Sequence, residues 1–233
     1  MMSEIYLVRH AQASYLTDNY DRLSDLGKEQ AGFLAKMLSN NQIHFDEAYV
    51  GPLVRQNQTF DIINESNPIR NSMRLEELRE HEGPKALKLY YEQLIHESEY
   101  VRDLWEMFQE NPKLKRKNSL LIFEYFIQKW MSGQIQVKDV EPWSAFKENA
   151  EQALNTVIRK SSSGKKSLVV TSGGTIAAIL CSILKMTDIS EVATINYLIR
   201  NASVTKLMCS KNRISLLSFN EVSHLPISFH TFV

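Results

Sequence analysis

The chain switches between two hydrophobic rhythms, and the switches outline a fold. Residues 5–8, Ile-Tyr-Leu-Val, are a short unbroken apolar run, the pattern of a strand buried on both faces. Residues 46–50 predict a second strand, ended by Gly51-Pro52, and residues 168–171 a third, followed at once by Ser172-Gly173-Gly174. Two more strands, 204–209 and 214–219, close the chain around a hairpin turn, Ser210-Lys211-Asn212-Arg213. After a polar loop over 14–24, Leu26, Ala31, Leu34, Ala35 and Leu38 recur at helical spacing, with Ser24 or Asp25 placed to cap them. Residues 53–63 and 176–184 predict two further helices. Strands alternating with helices argue for an α/β fold, a mainly parallel sheet with helices on both faces and one antiparallel edge.

The middle of the chain, about residues 84–161, breaks this alternation. It is helical in character, rich in Tyr, Trp, Phe and Glu, and shows no strand pattern. Pro84 suits the first turn of a helix, and Asn111-Pro112 and Ser132-Gly133 punctuate the rest of the segment. We expect a helical insertion within one domain, lying over the ligand edge of the sheet. Its aromatics Tyr90, Tyr91, Trp105 and Trp130 are available to a pocket, although aromatics at helical spacing more often fill a core.

Composition changes this picture little. With 27 basic and 27 acidic residues the formal net charge is zero, which leaves no footprint for nucleic acid or an anionic membrane. An anionic ligand must then be held by a local cluster of arginines. The two cysteines, Cys181 and Cys209, are far apart and read as buried thiols of a reducing compartment. No basic leader precedes the first apolar run, and no run approaches membrane-spanning length, so the expected location is cytoplasmic. The basic run Lys113-Leu114-Lys115-Arg116-Lys117 is expected as a solvated loop, with a targeting or nucleic-acid role as the alternative. Gly164-Lys165-Lys166-Ser167 lacks the upstream glycine of a P-loop and precedes its strand, so it is set aside.

Four places carry candidate chemistry. Arg9-His10 stands at the C-terminal end of the first strand, the edge where open α/β sheets bind ligands. A histidine there can act as nucleophile and an arginine can hold an anion, although a strand-end pair is ordinarily just surface. Arg55 falls in the first turn of a helix, where backbone amides and a guanidinium together suit phosphate; the plain alternative is a solvated arginine. Glu77, in Leu75-Glu76-Glu77, offers a carboxylate for general acid work, although glutamate pairs are usually solvated. Ser172 and Gly173, between a strand and a helix start, make a backbone anion site or simply a tight turn.

Taken in order, these segments resemble the histidine phosphatase superfamily, the phosphoglycerate-mutase-like proteins, over nearly the whole chain. Arg9-His10-Ala11-Gln12 is similar to the family's Arg-His-Gly-Glu/Gln signature. Leu23-Ser24-Asp25-Leu26-Gly27 with Gln30-Ala31 resembles its Leu-Thr-x-x-Gly-x-x-Gln-Ala helix. Pro52-Leu53-Val54-Arg55 with Gln58-Thr59 resembles its Ser-Pro-Leu-x-Arg-x-x-Gln-Thr motif. Asn201 to Thr205 and the Ser218-Phe219-Asn220-Glu221 tail through His224-Leu225 resemble its closing strands. The resemblance implies that His10 attacks phosphorus, that Arg9 and Arg55 clamp the phosphoryl oxygens and depress the His10 pKa, and that Glu77 is the acid and base. It implies no metal and no cofactor. Two departures stand out. Position 11 is Ala where the family usually has Gly, and Ser172 falls at the place of the family's second catalytic histidine, where a branch of the family that reads Thr-Ser-Gly-Gly looks similar. Losing one such donor costs on the order of 10²–10³ in rate, part of which a serine hydroxyl can recover. His224 in the tail is expected to pack or hydrogen-bond rather than replace the lost group.

The expected function is a slow, metal-independent phosphomonoesterase acting on a small phosphorylated substrate. The alternatives are a non-catalytic binder of phosphorylated ligands and a mutase-type phosphoryl transferase.

Overall fold

Six strands form one sheet in the order β3-β2-β4-β1-β5-β6, in a computed structural model that describes residues 2–14, 21–161, 164–210 and 213–232. The strands are β1 (Ser3–Arg9), β2 (Glu47–Val50), β3 (Ser72–Arg74), β4 (Lys166–Thr171), β5 (Val204–Ser210) and β6 (Arg213–Glu221). β3, β2, β4 and β1 run parallel; β5 is antiparallel to β1, and β6 to β5. The antiparallel part is therefore two strands wide. The one strand not expected is β3, whose three residues are all exposed and carry no apolar run. The expected turn at 211–212 and loop residues 15–20 lie outside the described residues.

β1 shows why its apolar run is unbroken. Ile5 and Leu7 join one core, while Tyr6 and Val8 join a second on the opposite face. That second core is closed by α1 (Asp25–Asn40) and α2 (Val54–Ser66), through Leu34, Ala35, Leu38, Phe60 and Ile63. Ser24 is the cap of α1: its hydroxyl accepts from the Gly27 amide at 3.0 Å, a contact worth about 1 kcal/mol. The first core is closed by the remaining helices: α3 (Gly83–Glu97), α4 (Glu99–Glu110), α5 (Lys115–Met131), α6 (Trp143–Lys160), α7 (Gly173–Leu184) and α8 (Ile189–Leu198).

Pro84 does sit in the first turn of α3. The basic run is not a loop: Pro112–Leu114 makes a 3-10 turn and Lys115 opens α5, with all four cationic side chains exposed. Proline's fixed φ suits this helical start, a signal that the run of charges masks. Helix α7 begins three residues earlier than its apolar pattern suggests, because Gly173 and Gly174 are its first turn and Ser172 its N-cap. Among the described residues no helix is long and apolar enough to cross a membrane.

Candidate active site

His10 follows β1 directly and is buried, with 5% of its surface exposed. Its Nδ1 lies 2.8 Å from the Ala11 carbonyl oxygen. A carbonyl only accepts, so Nδ1 carries the ring proton and Nε2 carries the lone pair. Arg55 Nε donates to that Nε2 at 3.0 Å. Burial first, then the charges of Arg55 and Arg9, push the His10 pKa well below its ordinary 6.5. The imidazole is neutral at physiological pH and presents a lone pair beside a guanidinium.

Arg55 sits in the first turn of α2, and its Nη1 donates to Asp21 Oδ1 at 2.6 Å. The other Asp21 oxygen accepts from the Val54 amide at 2.9 Å, so one carboxylate both caps α2 and fixes the arginine. Arg9 reaches the opposite way. Its Nη1 donates to the Ile199 carbonyl, and its Nε lies 3.5 Å from where a Cβ on Gly173 would be. Three polar residues of the sequence motifs brace this corner rather than face a ligand. Thr59 accepts from the Ala11 amide, Gln30 from the Gln12 amide and Gln58 from the Leu23 amide. The methyl group at Ala11 packs with Leu23, Ala31, Ala202, Val222 and Leu225, so the departure from glycine is absorbed into a small apolar cluster.

The far side of the site is the start of α7. Ser172 is fully buried, and its Oγ accepts from Gln56 Nε2 at 2.9 Å. The second Gln56 amide hydrogen goes to the Leu78 carbonyl at 2.9 Å, and its oxygen takes the Leu53 amide at 3.0 Å. Gln56 fits because its neighbours are small: a Cβ on Gly51 would lie 2.1 Å from Gln56 Oε1. The glutamine thus occupies space beside Ser172 and leaves the serine proton available to a ligand oxygen.

Leu78 to His81 run along the first turn of α7. Thr171 Oγ1 donates to the Leu78 carbonyl and Thr175 Oγ1 to the Arg79 carbonyl. Glu80 Oε2 accepts the Gly174 amide at 3.2 Å, and Glu80 Oε1 accepts the His81 amide at 2.9 Å. The carboxylate that reaches the α7 terminus is therefore Glu80. Glu77, the carboxylate expected as acid and base, is half-buried in the 3-10 turn Glu76–Leu78, and its side chain has no hydrogen bond or ion pair among the described residues. The pinning of Leu78 and Arg79 by their carbonyls sets the register, and no feature of the glutamate-rich stretch reveals it in sequence. One backbone amide of the expected anion site, that of Gly174, is already engaged by this carboxylate. Sequence reasoning misses Asp21, Gln56, Glu80 and His81. Asp21 falls in a polar loop with no pattern of its own, and Gln56 has the character of a solvated helix residue.

A family model for the histidine phosphatase superfamily, branch 1, matches residues 5–222. The chain belongs to the histidine phosphatase superfamily. Solved structures agree on the fold. A protein called YhfR from Bacillus stearothermophilus superposes with a TM-score of 0.68 at 18% identity, covering 95% of this chain and 98% of that one. A phosphoserine phosphatase from Entamoeba histolytica, in complex with phosphoserine, gives 0.64 at 19% identity, covering 97% and 100%. A phosphoglycerate mutase from Bacillus anthracis gives 0.62 at 17% identity, covering 96% and 95%. A search of curated proteins returns no match. In this chain Arg9, His10 and Arg55 lie on the parallel half of the sheet, at the C-terminal end of β1 and the start of α2.

Proposed function

We propose that the chain is a metal-independent phosphomonoesterase that passes the phosphoryl group through His10. The observation that carries this reading is the state of His10: neutral, protonated on Nδ1, with its Nε2 lone pair beside Arg55. Nε2 attacks the phosphorus of a small phosphate ester, and the ester P–O bond breaks. Arg9 and Arg55 oppose the charge that develops on the phosphoryl oxygens, and Ser172 and the Gly173 amide add neutral donors. We assign the acid to Glu80, whose carboxyl gives its proton to the departing alkoxide. Water then attacks the phosphohistidine and returns a proton to Glu80, releasing phosphate. Glu77 is the alternative acid.

Support for a small ester comes from the fold relatives, which include a phosphoserine phosphatase and a mycobacterial glucosyl-3-phosphoglycerate phosphatase. The non-catalytic binder has one observation in its favour, the serine at position 172. A steady-state assay over a panel of phosphate esters in EDTA, on wild type and His10→Ala, separates them. Turnover that survives EDTA and vanishes in His10→Ala is the expected result. No turnover by wild type on any ester, with phosphate-ester binding retained, establishes the binder instead.

A further inference from the structure

We infer that His81 supplies the imidazole that this site lacks at position 172, donating its Nε2–H to an oxygen of the phosphoryl group in transit. The inference rests on the phosphoryl-transfer reading above. Its first ground is position. A Cβ on Gly174 would lie 2.2 Å from His81 Cδ2 and 2.9 Å from His81 Nε2, so the ring edge presses on the first turn of α7, two residues from Ser172. A second ground is continuity with the phosphate-facing cation. Asn196 Nδ2 lies 3.4 Å from His81 Nε2, while Asn196 Oδ1 lies 3.3 Å from the Cβ position of Gly173, where Arg9 Nε is 3.5 Å away. Arg9, Asn196 and His81 form one polar arc around the paired glycines.

The third ground is the tautomer. The Gly83 amide donates to His81 Nδ1 at 3.0 Å, so the ring proton of the neutral form resides on Nε2. The Asn196 amide nitrogen is itself a donor. Glu80 Oε1 stands 3.6 Å away, beyond hydrogen-bond reach. Around this side chain, 6% exposed, the nearest polar atoms to that proton among the described residues are the Asn196 amide at 3.4 Å and Glu80 Oε1 at 3.6 Å, both longer than an ordinary hydrogen bond. Contacts this long leave the proton free to turn to a closer acceptor, and a phosphoryl oxygen is one this edge suits. The ring is also rigidly held: Trp130, Trp143 and Phe146 pack on it with centroids 5.7, 6.0 and 5.7 Å away. Such support is what a preorganised transition-state donor needs.

Two substitutions divide the ring's two nitrogens. His81→Asn keeps an acceptor for the Gly83 amide and removes the Nε2 donor. His81→Gln keeps a donor near the Nε2 position and forfeits the Nδ1 contact. Orthovanadate, which mimics the transferring phosphoryl group, is titrated calorimetrically into wild type and both variants, with melting temperatures and kcat measured alongside. The donor role predicts that His81→Asn loses on the order of 10²-fold in vanadate affinity and in kcat while its melting temperature holds. His81→Gln then retains more affinity despite a lower melting temperature. Vanadate binding unchanged in His81→Asn overturns the inference, as does loss in both variants that simply follows melting temperature. If wild type binds vanadate but turns over no ester, the phosphatase reading fails alone, and the Asn-against-Gln contrast in affinity still decides His81.

Discussion

The two walls of the site are built in different ways. One wall, Arg9, His10 and Arg55, comes from a strand end and a helix start, and local sequence signatures name every member. Arg55 meets His10 Nε2 at 3.0 Å and Asp21 at 2.6 Å, while Arg9 donates to the Ile199 carbonyl. The other wall, Ser172, Gln56, Glu80, His81 and Asn196, is drawn from separate places in the chain. It is held by side chains reaching across long stretches of sequence, as from Gln56 to Ser172 and from Glu80 to Gly174, with Asn196 3.4 Å from His81 Nε2. Under the proposed reaction the first wall has strict requirements, because attack by His10 needs one tautomer and guanidiniums beside it. Under the same proposal the facing wall has only to supply donors and one acid within reach of the phosphoryl group.

Substitutions sharpen the contrast. The largest effect is expected on the nucleophile wall. His10→Ala should lower kcat by at least roughly 10⁴-fold, because the variant loses the proposed nucleophile outright. Arg55→Lys should cost about 10²–10³ in kcat, since an ammonium cannot reproduce the guanidinium fork. Both are read from steady-state kinetics, and a near-normal rate in either variant would break the account of that wall.

On the facing wall, Glu80→Gln should cost about 10²–10⁴ in kcat with esters of poor leaving groups, and much less with p-nitrophenyl phosphate, whose leaving group needs no acid. Glu77→Gln should leave both rates within about twofold, the error of such a comparison. The reverse ranking restores Glu77 to the acid's role. Ser172→His tests how tightly Gln56 fills the space at position 172. The fully buried Gln56 amide occupies the space beside position 172, so the single variant should lose about 1–3 kcal/mol of stability by overpacking. The double variant Gln56→Ala with Ser172→His should recover stability and exceed wild type in kcat. Equal melting temperatures for all three proteins would show that Gln56 does not fill that space.

The smallest effect lies away from both walls. His224 Nε2 donates to the Ala202 carbonyl at 3.1 Å, and burial lowers its pKa to about 4. Its ordinary value is 6.5, so between those values the unfolded chain binds the proton and the folded one does not. Stability should therefore fall as pH drops from about 6.5 toward 4, and less steeply in His224→Gln. Urea unfolding across that range checks it; identical slopes in the two proteins would contradict it.

Legibility in the sequence divides along the same line. The buried parallel strands announce themselves because both faces of each strand are apolar, and Ser24 announces its helix by its capping hydroxyl. The exposed strand β3 has no such pattern, since it is held by pairing to β2 alone. Arg9, His10 and Arg55 are legible because each lies at or next to a strand end or helix start. Glu80 and His81 are not, because their place depends on the Leu78 carbonyl docking on Gln56 and Thr171, contacts distant in sequence. The same reason hides Asn196, whose partners are set by how α8 packs on α7.

The central claim is that His10 attacks through Nε2 with its proton fixed on Nδ1. Phosphorus NMR of the enzyme quenched at high pH during turnover tests it directly. The account predicts a phosphohistidine substituted at Nε2 that is absent from His10→Ala. A label at Nδ1, or turnover with no phosphohistidine at position 10, would contradict it.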